Sequence, residues 1–141
     1  MKVLIAIDGS ENALRALRYV IDHPAFFSAS PEVVLVNVHL PIPSARAKAV
    51  LGSDVVEQYY AEEAEEAMAP ARTLLAGTTC RVEERIIVGQ PAGQIIDAAA
   101  QHQCDLIVMG THGRSAIGNL LMGSVAMRVI AESSIPVLSV K

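Results

Sequence analysis

The segment at residues 105–132 constrains the fold more than any other part of the chain. Residues 105–109 form an apolar, partly β-branched run, which is typical of a buried parallel strand. A glycine-rich loop follows at residues 110–124, and residues 125–132 have the pattern of a helix. Glycines let the backbone approach a ligand closely, and a helix start presents unpaired N–H groups and a partial positive charge. This order of elements therefore predicts an anion site, and a nucleotide phosphate is the expected anion.

The glycine loop does not match the two common nucleotide-binding signatures. A P-loop has a lysine and then a serine or threonine after its second glycine, whereas Asn119 and Leu120 follow Gly118. The Rossmann fingerprint of three closely spaced glycines is also missing. The pattern that remains is Gly110, Gly113 and the pair at residues 123–124.

This spacing resembles the ATP-binding loop of the universal stress protein family. Three further blocks resemble the same family: residues 3–10 (Val-Leu-Ile-Ala-Ile-Asp-Gly-Ser), 89–92 (Gly-Gln-Pro-Ala) and 135–140 (Ile-Pro-Val-Leu-Ser-Val). The four blocks follow the family's order over nearly the whole chain. The resemblance implies a nucleotide-binding member of the family that acts in the stress response.

Alternating strand and helix patterns predict a doubly wound α/β fold. Apolar runs predict five strands, at residues 3–7, 33–38, 82–88, 105–109 and 135–140. Helical spacing predicts four helices: after the N-cap Ser10 as far as Pro24, over residues 55–75, from Pro91 onward, and over residues 125–132. Right-handed crossovers place such helices on both faces of a parallel sheet. We expect residues 1–141 to form a single domain.

Two segments are harder to interpret. Pro70 lies inside the second predicted helix, where a proline removes a backbone hydrogen bond, so we expect a kink or an interruption there. Residues 44–54 fit either a long loop or a short mobile helix.

The resemblance also implies a Rossmann-like strand order of 3-2-1-4-5, with a switch point between the first and fourth strands. Ligands of such sheets bind at the carboxyl ends of the strands around that point. Asp8 closes the first strand and Gly110 the fourth, so both are expected there. In the family, the aspartate that matches Asp8 contacts the nucleotide. The alternative role for Asp8 is to cap the helix that starts near Ser10.

Further binding roles follow from the resemblance. The resemblance implies that residues at the strand ends contact the base and the sugar, and that Val38 offers backbone groups to adenine. It also implies that N–H groups around the start of the last helix, and the Ser124 hydroxyl, bind the phosphates. The predicted binding residues are Ala6, Ile7, Asp8, Val38, Met109, Gly110, His112, Gly113, Arg114, Gly123, Ser124 and Val125.

Two loop side chains have alternative roles. His112 could act as an acid or base, but no second acid or base is tied to it by spacing, and its backbone N–H explains its place. Arg114 contacts either a phosphate or solvent. We therefore expect no catalytic residue, and at most very slow ATP hydrolysis.

The expected ligand is ATP, or ADP or AMP, together with Mg²⁺. The loop has no lysine, and a divalent ion that bridges the phosphates would compensate their charge with few protein ligands. Two other functions stay open: an enzyme with slow ATPase or adenylyl chemistry, and a dimeric scaffold that binds no nucleotide.

Composition restricts the partners. The net charge is −4 and the basic residues are scattered, which argues against a nucleic-acid binder. Cys80 and Cys104 have no metal-binding spacing, so we expect free thiols in a reducing compartment. The first apolar run ends at Asp8, too short for a signal peptide, and no stretch approaches the roughly 18 apolar residues of a membrane span. We expect a cytoplasmic protein that does not bind a membrane.

The last apolar block suggests a homodimer. In the implied order, the strand from Ile135 to Val140 lies at an edge of the sheet, and only Lys141 offers a protecting charge. We expect this edge to pair with a second copy across a two-fold axis. The apolar residues could instead serve only the core of the chain itself. A regulated protein partner is also open, and the sequence does not identify it.

Overall fold

The computed structural model describes residues 1–27, 30–42, 52–113 and 122–141. Within them a five-stranded parallel sheet has the order β3-β2-β1-β4-β5, as predicted. Its strands are β1 (Lys2–Ala6), β2 (Glu32–His39), β3 (Arg81–Val88), β4 (Leu106–Gly110) and β5 (Val137–Val140). All five predicted strands are confirmed, with ends that differ by one or two residues.

The helices of the described residues are α1 (Glu11–Asp22), α2 (Pro24–Phe27), α3 (Ser53–Leu75), α4 (Pro91–Gln101) and α5 (Ser124–Glu132). Four of them match the predicted helices, and the short α2 was not predicted. The Ser10 Oγ accepts the Ala13 N–H at 3.2 Å, which confirms the predicted N-cap of α1. Pro91 occupies the first turn of α4, where its missing N–H costs nothing.

The helix α3 runs without interruption from Ser53 to Leu75, so an interruption at Pro70 is ruled out and a kink there stays a prediction. Pro70 removes the N–H that would bond the Glu66 carbonyl. Both residues are exposed, so water can reach this part of the helix and satisfy that carbonyl. The ambiguous segment at residues 44–54 lies mostly outside the described residues, and α3 begins at its end.

Two apolar layers cover the two faces of the sheet. Residues of α1 and α3 pack on one face, with Leu17 and Met68 fully buried, and residues of α4 and α5 pack on the other, with Ile95 and Val129 buried. Strand β1 contributes to both layers because its side chains alternate between the faces. The sheet is therefore doubly wound, as the sequence predicts.

None of the helices that the structure describes combines the length and the apolar character needed to span a membrane. Cys80 is half-buried and Cys104 buried, and both are free thiols. Burial raises the pKa of the Cys104 thiol.

Candidate functional site

A cleft of about 430 Å³ opens at the carboxyl ends of β1, β2 and β4. Every predicted binding residue that the structure describes lines it, and Arg114 lies outside the described residues. These residues come from segments far apart in the chain: Ala6, Ile7, Asp8, Val38, Met109, Gly110, His112, Gly113, Gly123, Ser124 and Val125. The fold thus brings the predicted site residues together at the switch point, and their binding roles stay predictions.

The floor of the cleft is apolar. Val36 and Met109 are buried at the strand ends, and Ile95 of α4 and Ala126 of α5 close the floor from one face of the sheet. Asp8 and residues 110–113 and 123–124 of the glycine loop also line the cleft. A flat apolar group would be buried by this floor, while a polar group attached to it would contact these residues.

Buried hydrogen bonds fix the position of Asp8. The Ile7 N–H donates to the Val36 carbonyl at 2.8 Å, and the Asn37 side-chain amide donates to the Ile7 carbonyl at 2.7 Å. The Asp8 Oδ1 then accepts the Ser10 N–H at 2.9 Å. The N–H that it binds belongs to Ser10, which is itself the N-cap of α1, so this bond holds the turn before the helix and does not show the predicted capping role of Asp8. The Asp8 carboxylate also lines the cleft.

Two glycines allow close backbone approaches that a larger residue would prevent. A Cβ atom at Gly113 would lie 2.6 Å from the Asp8 Oδ2, so this glycine brings the loop backbone against the carboxylate. A Cβ atom at Gly110 would lie 2.7 Å from the backbone carbonyl carbon of Asn12, so that glycine lets the end of β4 approach α1. Gly113 therefore shapes the cleft and Gly110 the packing beneath it.

At the start of α5, one backbone group differs from its predicted role as a phosphate donor. The Gly123 N–H donates to the Thr111 carbonyl at 2.7 Å, so it is used within the chain instead of being directed at a ligand. This bond closes the loop by joining its two ends. The N–H groups of Ser124 and Val125 lie in the first turn of α5, which has no carbonyl acceptors of its own. Gly123 supplies no side-chain cap, and Ser124 and Val125 line the cleft together with Ala126, the third residue of this turn.

His112 is held by its neighbour. Its Nδ1 lies 3.0 Å from the hydroxyl of Thr111, a residue that is itself buried. The residue lines the cleft at its loop side. The contact with Thr111 orients the imidazole.

One wall of the cleft consists of residues that were not predicted from the sequence. Tyr59, Tyr60 and Glu63 of α3 line it together with His39 at the end of β2. The Tyr60 Oη accepts the Ile42 N–H at 2.8 Å, and the Tyr60 and His39 rings have centroids 5.7 Å apart. Tyr60 therefore attaches the chain after β2 to α3. The available signal was the pairing of two tyrosines with Glu63 on one helix, but only the fold brings that helix to the cleft.

Comparison with known proteins decides the family. The family model described as "Universal stress protein family" matches residues 1–141. The chain belongs to the universal stress protein family. A universal stress protein of Thermus aquaticus is 33% identical over 140 residues, covering 99% of this chain and 97% of the relative. The universal stress protein MJ0531 of Methanocaldococcus jannaschii is 32% identical, over 99% of this chain and 81% of the relative.

Solved structures agree with this assignment and confirm the fold. The structure of MJ0577, from Methanocaldococcus jannaschii, superposes with a TM-score of 0.82 at 33% identity, over 99% of this chain and 94% of that one. A universal stress protein in complex with cAMP has a TM-score of 0.65 at 30% identity, over 100% and 97%. One from Archaeoglobus fulgidus in complex with dAMP has a TM-score of 0.67 at 25% identity, over 100% and 98%.

Proposed function

We propose that this universal stress protein binds an adenine nucleotide in the cleft at the carboxyl end of its sheet. The observation that carries the proposal is the convergence of the described predicted binding residues on one cleft. Two structural neighbours, in complex with cAMP and with dAMP, support the adenine chemistry. The resident ligand we propose is ATP, or else ADP or AMP.

The nucleotide fits the cleft in one orientation. The adenine lies on the apolar floor beside Val38, where burial favours a flat ring. The ribose lies beside the Asp8 carboxylate, which can accept hydrogen bonds from its hydroxyls. The N–H groups of Ser124 and Val125 donate hydrogen bonds to the phosphates. The partial positive charge of the helix start also attracts the phosphates.

The strength of this site follows from its donors. Hydrogen bonds to charged groups contribute about 1.5–3 kcal/mol each, and a helix terminus adds about 0.3–1 kcal/mol. After the cost of association, the expected dissociation constant is on the order of micromolar. No lysine or arginine is among the described residues of the cleft, and these residues hold no cluster of metal ligands. We propose that Mg²⁺ neutralises a bound triphosphate and is held mainly by the phosphates.

One experiment tests the nucleotide and another the site. Denaturing the purified protein and identifying the released small molecule by mass spectrometry should give an adenine nucleotide. Calorimetry with ATP should then show that Ser124→Ala weakens binding about tenfold. Ser53→Ala, at the same position of α3, is the matched control and should bind like the parent. The absence of both a released nucleotide and a calorimetric signal would refute the proposal.

We also propose that the protein responds to nucleotide binding without catalytic turnover, and transmits this state to an unidentified partner in the stress response. The support is that the His112 Nδ1 contacts the Thr111 hydroxyl and that no second acid or base is tied to His112 by its spacing in the sequence. The release of phosphate from Mg-ATP should stay far below the typical enzyme rate of about 10 per second. A rate near one per second that disappears in His112→Ala would contradict this proposal.

The proposed homodimer uses the β5 edge. The Ile107 and Thr111 N–H groups donate to the Pro136 and Val140 carbonyls, both at 2.9 Å. Because backbone groups alternate along a parallel strand, Leu138 faces β4, whereas Val137 and Ser139 present their N–H groups to the free edge. Ser139→Pro should therefore remove the β5 contact and lower the mass measured by light scattering. Leu138→Pro should instead unfold the edge of the sheet, because it removes a bond to β4. A monomeric parent protein at micromolar concentration would contradict the dimer.

A further inference from the structure

Strand β3 is the opposite edge of the sheet from β5, and it is longer and more regular. Its register with β2 runs without a bulge from Glu32↔Arg81 to His39↔Val88. It contains no proline, and helices α3 and α4 pack against β2 but not to a comparable extent against β3. Long regular edges are templates for a further strand, and charged side chains usually protect them. Strand β3 contains four charged residues: Arg81, Glu83, Glu84 and Arg85. A further strand therefore needs complementary charges opposite them.

The backbone groups at this free edge belong to alternate residues. The Arg81 N–H donates to the Pro31 carbonyl at 3.2 Å, and the Gly89 N–H donates to the His39 carbonyl at 2.8 Å. Odd-numbered residues of β3 therefore face β2, and even-numbered residues present their N–H and C=O groups outward. Among the latter, the side chains of Val82, Ile86 and Val88 are 42%, 50% and 45% exposed. The outward backbone groups and an exposed apolar row thus belong to the same residues.

We propose that β3 pairs antiparallel with β3 of a second copy of this chain, across a two-fold axis at Glu84. In this register the outward-facing Val82 lies opposite Ile86 of the second copy, and the two exchange backbone hydrogen bonds. Glu83 lies opposite Arg85 of the second copy. The two-fold axis repeats each pair, and both apolar and opposite-charge cross-strand pairs stabilise a sheet.

The order of the charged residues along β3 favours this register over the two adjacent ones. An axis at Arg85 would place that arginine opposite itself, and an axis at Glu83 would do the same with two carboxylates. At Glu84 the facing carboxylates are each bound by Arg72, whose Nε and Nη2 groups donate at 2.8 Å to the two Glu84 oxygens, while its Nη1 group binds Glu65 at 2.6 Å. The axis at Glu84 thus sets Glu83 against Arg85, and the carboxylates that face each other at the axis are both bound by an arginine.

The side chains of the proposed ion pairs are held on the α4 side of β3. Within one copy Glu83 pairs with Arg85, and the Arg85 Nε donates to His102 Nε2 at 3.2 Å. His102 Nδ1 lies 3.4 Å from the Glu83 carboxylate. Less side-chain entropy is therefore lost when a second copy docks.

Charge reversal tests the interface. In sedimentation equilibrium, Glu83→Arg and Arg85→Glu should each weaken self-association about tenfold, because each makes both facing pairs like-charged. The double variant should restore the parent constant to within about threefold, since it exchanges the charges of the same pairs. Arg128→Glu, which removes an exposed ion pair with Glu132 on α5, is the matched control and should associate like the parent.

Hydrogen exchange provides a measurement that needs no variant. The amides of Val82, Glu84 and Ile86 should be protected at high protein concentration and should exchange on dilution, whereas the inward amides of β3 should stay protected. Three results would each overturn the proposal: a parent protein that stays monomeric, a dimer insensitive to both charge reversals, or outward amides that exchange at the same rate at all concentrations. A dimer through β5 alone would give the second and third results.

Discussion

At the carboxyl end of the sheet the backbone turns through glycines and leaves donors facing a cleft, whereas at the amino end polar groups bind one another. There, the Lys2 N–H donates to Asp105 at 2.7 Å, Arg81 lies 3.4 Å from Glu32, and further ion pairs surround Glu83. At the carboxyl end, the first turn of α5 has no side-chain cap. The polar groups at the amino end are therefore used within the chain, whereas the first turn of α5 keeps N–H groups that have no acceptor in the helix.

The largest expected effect comes from the packing beneath the cleft. Gly110→Ala should destabilise the fold by about 3 kcal/mol, because its Cβ would lie 2.7 Å from the Asn12 backbone. Gly93→Ala is the matched control, since a Cβ there meets nothing within 4 Å. It should stabilise α4 by about 0.5–1 kcal/mol. Urea unfolding measures both, and equal midpoints would show that the approach of β4 to α1 is not tight.

The second effect separates binding from stability. In Gly123→Val, the new Cβ would lie 3.4 Å from the Thr111 carbonyl oxygen and would carry two methyl groups. The side chain would therefore distort the hydrogen bond between the Gly123 N–H and the Thr111 carbonyl. The affinity for ATP in calorimetry should fall at least about a hundredfold, or about 2.7 kcal/mol, while the domain stays folded. A folded variant with unchanged affinity would show that the loop does not hold the phosphates.

A smaller effect on binding is expected at Asp8. Asp8→Asn keeps an oxygen that can accept the Ser10 N–H, so the unfolding midpoint should change little. The loss of the carboxylate charge should weaken nucleotide binding about tenfold, because hydrogen bonds to a charged acceptor are stronger. Asp97→Asn, on the exposed face of α4, is the control. If both variants bound equally well, Asp8 would serve only the start of α1.

The smallest effect lies away from the cleft and depends on pH. Hydrogen bonds from Arg72 hold the pKa of Glu84 below its usual value. The pair therefore stabilises the folded state above the ordinary glutamate pKa of about 4.3, and this stabilisation is lost as the pH falls through the lowered folded-state pKa. Both side chains are partly exposed, so the effect should stay under about 1 kcal/mol. Glu84→Gln should flatten the acid limb of the unfolding free energy, whereas Glu57→Gln should leave it unchanged. Nucleotide affinity at neutral pH should not change in either variant.

Much of the cleft could be predicted because its residues follow strand ends. The central parallel strands are buried and apolar, so their ends are visible where Asp8 or Gly110 interrupts the run. The wall made by Tyr59, Tyr60 and Glu63 could not be predicted, since a helix of 23 residues gives no sign of which turn reaches the sheet edge. The use of the Gly123 N–H by Thr111 was equally hidden, because it depends on the distance between the two loop ends.

Patterns in the sequence were enough to indicate the family, the strands and helices, and the residues that gather at the switch point. These features depend on local patterns and on spacing, which the chain carries in one dimension. Only the folded chain shows that the Gly123 N–H is used by Thr111, that α3 continues through Pro70, and that the even-numbered residues of β3 face the edge of the sheet. Such features depend on which groups approach one another across the fold, and a hydrogen bond or a contact exists only once both partners are in place.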